Sequence, residues 1–241
     1  MLLIPAIDLM NGQCVQLVQG RAGTETVFSD DPVAMARRWE SEGACMLHVV
    51  DLDGAFEGRP ANFDAVRAIV DAVSVPVEFG GGVRDEATLA AVLETPLARV
   101  VLGTKACEQA FLRSAVDLYG ERIAVGIDPR EGLVTVKGWT EFTALEAAQF
   151  ARHVEAIGVR TIIVTGVAAD GMLDGPQTGL LEQVLNAVSC DVIAAGGVGN
   201  LDHIRALRRY EPKGLAGVII GTALYTGAIT LSEALEVAGS C

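Results

Sequence analysis

Eight short apolar runs, spaced about 30 residues apart, alternate with segments of helical period along the chain. The runs comprise residues 2–8, 46–53, 75–81, 99–104, 123–128, 161–166, 191–197 and 217–222. Continuous apolar runs of this length are typical of parallel strands buried on both faces, and each is followed by a turn and a candidate helix. The pattern predicts an α/β fold, a (β/α)₈ TIM barrel that residues 1–241 form as a single domain.

Polar residues stand where several of the helices should begin. Asp31 precedes Pro32, and Asn62, Asp85 and Asn200 precede other helical segments. Asp and Asn are strongly preferred N-caps, and proline is favoured at the first helical position. We therefore expect these four residues to cap their helices.

Four short motifs of the first half recur in the same order in the second half, at offsets of 115 to 120 residues. The pairs are Ile7-Asp8 with Ile127-Asp128, Asp53-Gly54 with Asp170-Gly171, Gly82-Val83 with Gly197-Val198, and Gly103-Thr104 with Gly221-Thr222. Each motif falls at or near the end of a predicted strand. The repeat predicts a barrel built from two similar half-barrels of four β/α units each.

Two aspartates follow predicted strands on opposite sides of the barrel. Asp8 ends the first strand and Asp128 ends the fifth, and the carboxyl ends of barrel strands are where catalytic residues lie. A lone aspartate at such a place would more simply cap a helix or bind loop amides, but the symmetric pair favours a base and an acid. The three histidines, His48, His153 and His203, lack the spacing of a helical metal pair.

Glycines follow the predicted strands of both halves at matching places. Glycine lets a backbone approach a ligand closely and leaves amide groups free to bind phosphate. A tight turn would explain one such loop, whereas two matching pairs predict a ligand with two phosphates across the barrel mouth. The candidate binding residues are Gly81, Gly82, Gly103, Thr104, Gly196, Gly197, Gly221 and Thr222.

The charge of the chain excludes several kinds of partner. Lysine and arginine number 18 and aspartate and glutamate number 31, for a formal net charge of −13 at pH 7. This field disfavours nucleic acid and anionic membrane surfaces. No apolar run reaches the roughly 18 to 20 residues of a membrane span. The five cysteines are widely spread and lack C-x-x-C pairs, which favours the reducing cytoplasm over a disulfide framework. We expect a monomer.

The motifs together resemble the ProFAR isomerases of histidine biosynthesis, (β/α)₈ enzymes that convert an N-linked aminoaldose ribotide to its aminoketose. The resemblance covers essentially the whole chain, and the order of its motifs is highly specific. They are Ile4-Pro5-Ala6-Ile7-Asp8-Leu9, Val50-Asp51-Leu52-Asp53-Gly54-Ala55, Gly80-Gly81-Gly82-Val83-Arg84, Gly126-Ile127-Asp128-Pro129-Arg130, Gly138-Trp139, Asp170-Gly171 and Gly221-Thr222-Ala223-Leu224-Tyr225.

The resemblance implies roles for particular residues. Asp8 would accept a proton and Asp128 would donate one, while Thr165 and Asp170 would assist the proton transfers. Asp170 competes with Asp128 for the acid role, and the sequence does not separate them. Trp139 would stack on the ligand, or else act as a hydrophobic lid. The Amadori rearrangement of a bisphosphorylated ribotide needs acid–base groups alone, so no metal or organic cofactor is expected.

The chain departs from the family pattern at four places. It has Gly166 where Asp is expected after the sixth strand, Ala195 where Ser is common, and Gln177 where Asn is usual. Gln16 replaces a common Arg in the loop after the first strand, which removes a charge that could bind substrate. These changes bear on specificity and rate rather than on fold.

Three other functions stay open on sequence alone. A dual-specificity isomerase would also act on phosphoribosyl anthranilate. The loop from Val18 to Gly23, which contains the candidate binding residue Arg21, resembles the loop of such relatives. Gln16 argues against this function. The sister cyclase of the histidine pathway would need a glutaminase partner. A non-catalytic barrel that binds phosphate ligands would use Asp8 and Asp128 only structurally.

Overall fold

The computed structural model describes residues 1–21, 23–130, 133–136 and 141–239. Eight parallel strands form a closed barrel, with the first strand paired to the last from Leu2↔Gly217 to Pro5↔Ile220. The strands are β1 (Leu2–Met10), β2 (Leu47–Asp51), β3 (Val77–Gly80), β4 (Arg99–Leu102), β5 (Ile123–Ile127), β6 (Thr161–Thr165), β7 (Asp191–Ala195) and β8 (Leu215–Ile220). The predicted (β/α)₈ barrel is confirmed, and the ends of the strands differ from the predicted runs by no more than two residues.

One longer helix follows each strand and packs on the outside of the barrel. These helices are α1 (Pro32–Ser41), α2 (Phe63–Ala72), α3 (Glu86–Leu93), α4 (Gln109–Tyr119), α5 (Ala147–Ile157), α6 (Thr178–Leu185), α7 (Leu201–Arg208) and α8 (Leu231–Ala238). Their apolar stripes cover the outward-facing residues of the strands in one large buried cluster, as helix amphipathicity requires. None of the helices in the described ranges is both long and apolar enough to cross a membrane.

Three of the four predicted caps bond as expected. The side chains of Asp31, Asp85 and Asn200 accept hydrogen bonds from backbone amides in the first turns of α1, α3 and α7. Asn62 precedes α2 but makes no capping bond, so its prediction as a side-chain cap is wrong. Its Oδ1, the atom that would cap the helix, accepts from the amide of Gly12 at 2.8 Å instead, and its Nδ2 donates to Asp51 and Asp53.

Smaller elements extend the barrel at its carboxyl end. The end of β1 continues into an antiparallel hairpin with Gln13–Gln16, which pairs in turn with Thr26–Ser29. A three-stranded sheet of Pro129–Arg130, Leu133–Val136 and Glu141–Glu146 follows β5. Short α-helices (Leu52–Glu57, Thr222–Tyr225) and 3₁₀ turns (Thr104–Cys107, Gly120–Arg122, Glu211–Lys213) complete the loops.

The inside of the barrel is divided between apolar and charged side chains. Ile4, Ala6, Ile163, Ile193 and Ile219 form one small buried cluster. A second set, His48, Glu78 and Arg99, comes from the neighbouring strands β2, β3 and β4 and carries charge. The barrel is therefore filled by side chains, and ligands have room at its mouth rather than along its axis.

The cysteines differ in state. Cys14, Cys107 and Cys190 carry free thiols. Cys45 is disulfide-bonded, which the sequence pattern did not indicate.

Candidate active site

A cavity opens at the carboxyl ends of the barrel strands, and residues from the ends of all eight strands or the loops after them line it. It brings together Asp8, Asp128, Asp170 and Thr165 with all eight glycine and threonine residues predicted to bind phosphate. These positions are far apart in sequence. They meet because the strands of a closed parallel barrel all end on one face.

Asp8 stands at the centre of this site, near the carboxyl end of β1. Nε2 of Gln16 donates a hydrogen bond to its Oδ2 at 3.1 Å. Burial raises the pKa of Asp8 to about 6, against the opposing effects of the nearby His48 charge and the Gln16 hydrogen bond. The carboxylate is therefore a stronger base than an ordinary aspartate while still ionised at neutral pH.

Asp170, in the loop after β6, carries the second perturbed carboxyl group. Burial raises its pKa to about 7, and the charges of Asp8 and Asp128 add to the effect. A carboxyl group with this pKa still holds a proton on about half of the molecules at neutral pH. The cavity thus contains one carboxyl group suited to accept a proton and one suited to donate it.

Asp128 lies immediately after β5 and lines the same cavity. Its backbone carbonyl accepts hydrogen bonds from the amide and the hydroxyl of Thr135. The small sheet after β5 thus fixes the backbone at Asp128. The charge of this residue acts on Asp170, as described above.

The glycine pairs after β3 and β7 repeat each other in backbone geometry. Gly81 and Gly82 have φ values of +117° and +78°, and Gly196 and Gly197 both have +85°. A Cβ on Gly82 would lie 2.4 Å from the carbonyl carbon of Arg59, and one on Gly197 would lie 2.3 Å from the carbonyl oxygen of Gly175. Each loop therefore needs glycine, both for its left-handed backbone and for its close contact with a neighbouring loop.

The second pair of loops differs between the halves. Gly103 precedes the turn at Thr104 and has open space where a Cβ would stand, whereas a Cβ on Gly221 would meet the side chain of Gln16 at 2.6 Å. Both glycines otherwise share a similar backbone, with φ of −96° and −109°. The two glycines therefore match in backbone conformation, but only Gly221 has a side chain, that of Gln16, packed against it.

Gln16 is held by hydrogen bonds within the protein. Its Nε2 donates to Asp8 and to the carbonyl of Val15, and its Oε1 accepts from the hydroxyl of Thr222 at 2.9 Å. The side chain is nearly buried, with 9% of the residue exposed. It thus connects the carboxylate of Asp8 to the phosphate-binding loop predicted after β8.

The other departures from the family pattern also lie near the cavity. Ala195 lines it directly. A Cβ on Gly166 would meet the side chain of Gln177 at 3.1 Å. The longer Gln177 side chain therefore occupies space that the glycine leaves open.

Arg21, a predicted ligand-binding residue, stands apart from the rest. Arg21 is exposed, and it is not among the residues that line the cavity. Its loop reaches the loop after β6, where the amide of Gln19 donates to the carbonyl of Asp170 at 3.0 Å. Trp139 lies outside the described residues.

Sequence reasoning missed two cavity residues. His48 on β2 lines the cavity, and its Nδ1 lies 2.8 Å from Oε1 of Glu78. Arg84 also lines it, and its guanidinium donates to the carbonyl of Ala55 at 2.9 Å. Strand alternation could have identified His48. Successive side chains of a strand point to opposite faces, and since Leu47 and Val49 face the helices, His48 lies on the inner face of the barrel. The described residues contain no cluster of three or more side chains suited to a metal ion.

The fold and this site define a barrel enzyme, with carboxyl groups buried at its mouth between two matching glycine-rich rims. The chain belongs to the histidine biosynthesis protein family, whose family model matches residues 2–230.

Several bacterial relatives are similar over nearly their full length. The chain is 49% identical to a protein of Syntrophotalea carbinolica, over 98% of this chain and 97% of the relative. It is 48% identical to one of Geotalea uraniireducens (100% and 99% covered) and 46% identical to one of Moorella thermoacetica (99% and 98% covered). Each is named a 1-(5-phosphoribosyl)-5-((5-phosphoribosylamino)methylideneamino) imidazole-4-carboxamide isomerase.

Proposed function

We propose that this chain is an isomerase of histidine biosynthesis that rearranges the aminoaldose ProFAR to the aminoketose PRFAR. The observation that carries the proposal is the pair of carboxyl groups, Asp8 and Asp170, whose pKa values are both raised in one cavity between matching glycine loops. The names of the full-length relatives support the same reaction. Carboxyl groups whose pKa values are raised in a cleft by burial and by specific charged neighbours are typical of functional sites.

The base in this proposal is Asp8. An Amadori rearrangement opens the ribose ring to a protonated imine, and a base then removes the proton from the carbon beside it. The electrons of that C–H bond form a C=C bond while those of the C=N bond return to nitrogen. The resulting enolamine becomes the ketose when the former imine carbon takes up a proton and the enol hydroxyl loses one. With its pKa about 6, Asp8 is ionised at neutral pH and is basic enough to take this proton.

The acid in this proposal is Asp170. Ring opening needs a proton on the ring oxygen, and the raised pKa of Asp170 keeps that proton available near neutral pH. Asp128 supports this role because its charge helps to raise the pKa of Asp170. Thr165, at the end of β6, lines the cavity beside them and would orient the substrate.

The substrate carries two phosphates, and we assign one to each glycine-rich rim. Gly81, Gly82, Gly103 and Thr104 would bind the first, and Gly196, Gly197, Gly221 and Thr222 would bind the second. Backbone amides of these loops would offset the repulsion from a net charge of −13. Arg84 adds a cation near the first rim.

The two-phosphate assignment predicts two anion sites. Crystals grown in sulfate or phosphate should show one anion near Gly82 and Gly103 and another near Gly197 and Gly221. In solution, a bisphosphorylated ribotide should bind at least about tenfold more tightly than its monophosphate, which is 1.4 kcal/mol. Anion density on one rim alone, together with equal affinities for the two ribotides, would contradict the assignment.

The state of Gln16 predicts substrate specificity. The tryptophan-pathway substrate, phosphoribosyl anthranilate, carries a ring carboxylate that a cation would best bind. Gln16 is neutral, and both of its N–H groups already donate to Asp8 and Val15. We therefore expect kcat/KM for phosphoribosyl anthranilate to be at least about a hundredfold lower, about 2.7 kcal/mol of transition-state discrimination.

Steady-state assays of both substrates on one preparation test this specificity. Gln16→Arg is the informative variant, because it restores the missing charge and should reduce the difference in kcat/KM between the two substrates. Similar kcat/KM values for both substrates in the unmodified protein would show that another residue supplies the cation.

The substrate also favours a location for the protein. A ribotide with two phosphates does not cross a lipid bilayer unaided, so an enzyme that uses it belongs with the pathway that makes it, in the cytoplasm. We propose action as a monomer without nucleic-acid or membrane partners, and the net charge of −13 supports the absence of those polyanionic partners. No residue of the proposed mechanism calls for a cofactor.

A further inference from the structure

Three charged side chains form a row inside the barrel, next to the cavity. His48 pairs in register with Glu78, and Glu78 pairs with Arg99, so the three stand side by side on β2, β3 and β4. Both carboxylate oxygens of Glu78 are bonded: Oε1 lies 2.8 Å from Nδ1 of His48, and Oε2 lies 2.7 Å from a terminal nitrogen of Arg99. The guanidinium of Arg99 also donates to the hydroxyl of Thr161 at 3.2 Å.

The row contains a fully buried anion. Glu78 is 0% exposed, and a buried carboxylate is stable only when it is paired and hydrogen-bonded. His48 and Arg99 together hold the pKa of Glu78 below its ordinary value in spite of burial. An ionised carboxylate only accepts hydrogen bonds, so Nδ1 of His48 carries a proton.

The row reaches the proposed base through His48. Strand register places His48 beside Ala6 on β1, two residues before Asp8 on the same face of the strand. His48 and Asp8 line one cavity. A positive charge on His48 favours the ionised form of Asp8, against the effect of burial.

The other titratable groups around Asp8 are acids from the loops after β5 and β6, the hairpin strand after β1 and the short helix after β8. They are Asp128, Asp170, Cys14 and Tyr225. Burial raises the pKa of Cys14 to about 12 and that of Tyr225 well above its ordinary value, so both are neutral where Asp8 titrates, and only ionised carboxylates act against a second anion. Arg84, a cation of the same cavity, bonds to the rim at Ala55.

We propose that His48 is a positioning residue for the Asp8 base, and that the buried Glu78–Arg99 pair holds its imidazole protonated beside the cavity, where it keeps Asp8 ionised. The inference rests on the proposed role of Asp8. In this arrangement the charge of His48 opposes the effect of burial, which disfavours the ionised form of Asp8. Glu78 and Arg99 never touch the substrate in this arrangement; they act through His48.

The test is the pH dependence of kcat/KM for ProFAR, whose acidic limb reports the ionisation of the base in the free enzyme. His48→Gln removes the charge, so the limb should move to higher pH by about 1 unit, the lower end of the effect of a nearby opposite charge. His153→Gln makes the same chemical change on the exposed face of α5 and should not shift the acidic limb of the pH profile. An unmoved limb in His48→Gln would overturn the inference.

The direction in which Glu78→Gln moves the acidic limb distinguishes an effect of Glu78 through His48 from a direct effect of its charge on Asp8. If Glu78 acted on Asp8 only as a buried negative charge, its removal would ease ionisation of Asp8 and move the limb to lower pH. If it acts through His48, its removal lets the imidazole lose its proton, and the limb moves to higher pH. The double variant should then shift no further than His48→Gln alone.

A spectroscopic measurement covers the case in which Glu78→Gln does not fold. The chain has three histidines, so ¹⁵N imidazole spectra of the unmodified protein are simple to assign with His48→Gln as reference. We expect His48 to be protonated on both nitrogens across the acidic limb. A neutral ring there would overturn the inference. Failure of the proposed function looks different, because the unmodified protein would then not convert ProFAR, and failure of the base role alone would leave Asp8→Asn active whatever His48 does.

Discussion

Asp8→Asn should lower kcat by about 10² to 10⁴, the usual contribution of general acid–base catalysis. The substitution preserves the size of the side chain and a hydrogen bond with Gln16, but an amide oxygen is not basic enough to take a proton from carbon. Ligand affinity should stay within a few-fold, since an interaction made only in the transition state is lost. The measurements are kcat from steady-state assays and the dissociation constant of the product from calorimetry.

Asp117→Asn provides the matched control for this experiment. Asp117 lies on α4 and is exposed, so the same chemical change there should leave turnover unaltered. If Asp8→Asn retains more than about a tenth of the turnover, the base role of Asp8 is lost, because the expected contribution is at least about a hundredfold. The non-catalytic binding barrel would then become the better explanation of the cavity.

Asp170→Asn should lower kcat more than Asp128→Asn does. Comparison of the two variants distinguishes between the two candidate acids. Loss of the proton donor should lower kcat by about 10² to 10⁴. Asp128 acts through its charge, which raises the pKa of Asp170. Asp128→Asn should therefore lower that pKa and move the basic limb of the pH profile to lower pH, with a smaller loss at the optimum.

Full pH profiles of both variants are needed, because the carboxyl groups interact and their apparent pKa values belong to the group as a whole. A larger loss in Asp128→Asn, with an unmoved basic limb in that variant, would transfer the acid role to Asp128. This is the role that its resemblance to the family implied. Burial raises the pKa of Asp170 to about 7, which is the observation that favours it as the acid.

The fold could be read from the sequence to within two residues at each strand. Parallel barrel strands are apolar on both faces, so each gives a continuous run that is easy to recognise, as at 161–166 or 217–222. The half-barrel repeat was also visible, because loops with left-handed backbone need glycine, and Gly82 and Gly197 mark equivalent places. The sequence likewise predicted that these glycines and the aspartates would gather at one end of the barrel.

Side-chain contacts between distant segments were beyond the sequence. Asn62 was predicted to cap a helix, but its Oδ1 accepts from the amide of Gly12, which lies 50 residues away in the chain. Gln16 was read as a missing charge, whereas its amide joins Asp8 to Thr222, which lies 206 residues away in the chain. His48 looked unremarkable among three scattered histidines.

The sequence by itself determined the barrel, its two halves and the set of residues at its mouth. These follow from local periodicity and from backbone conformations that few residues adopt. Only the tertiary structure could indicate which of the carboxyl groups have a raised pKa. A pKa depends on burial and on charges brought close by the fold, and Asp8, Asp128, Asp170 and His48 come from four different strands or the loops that follow them.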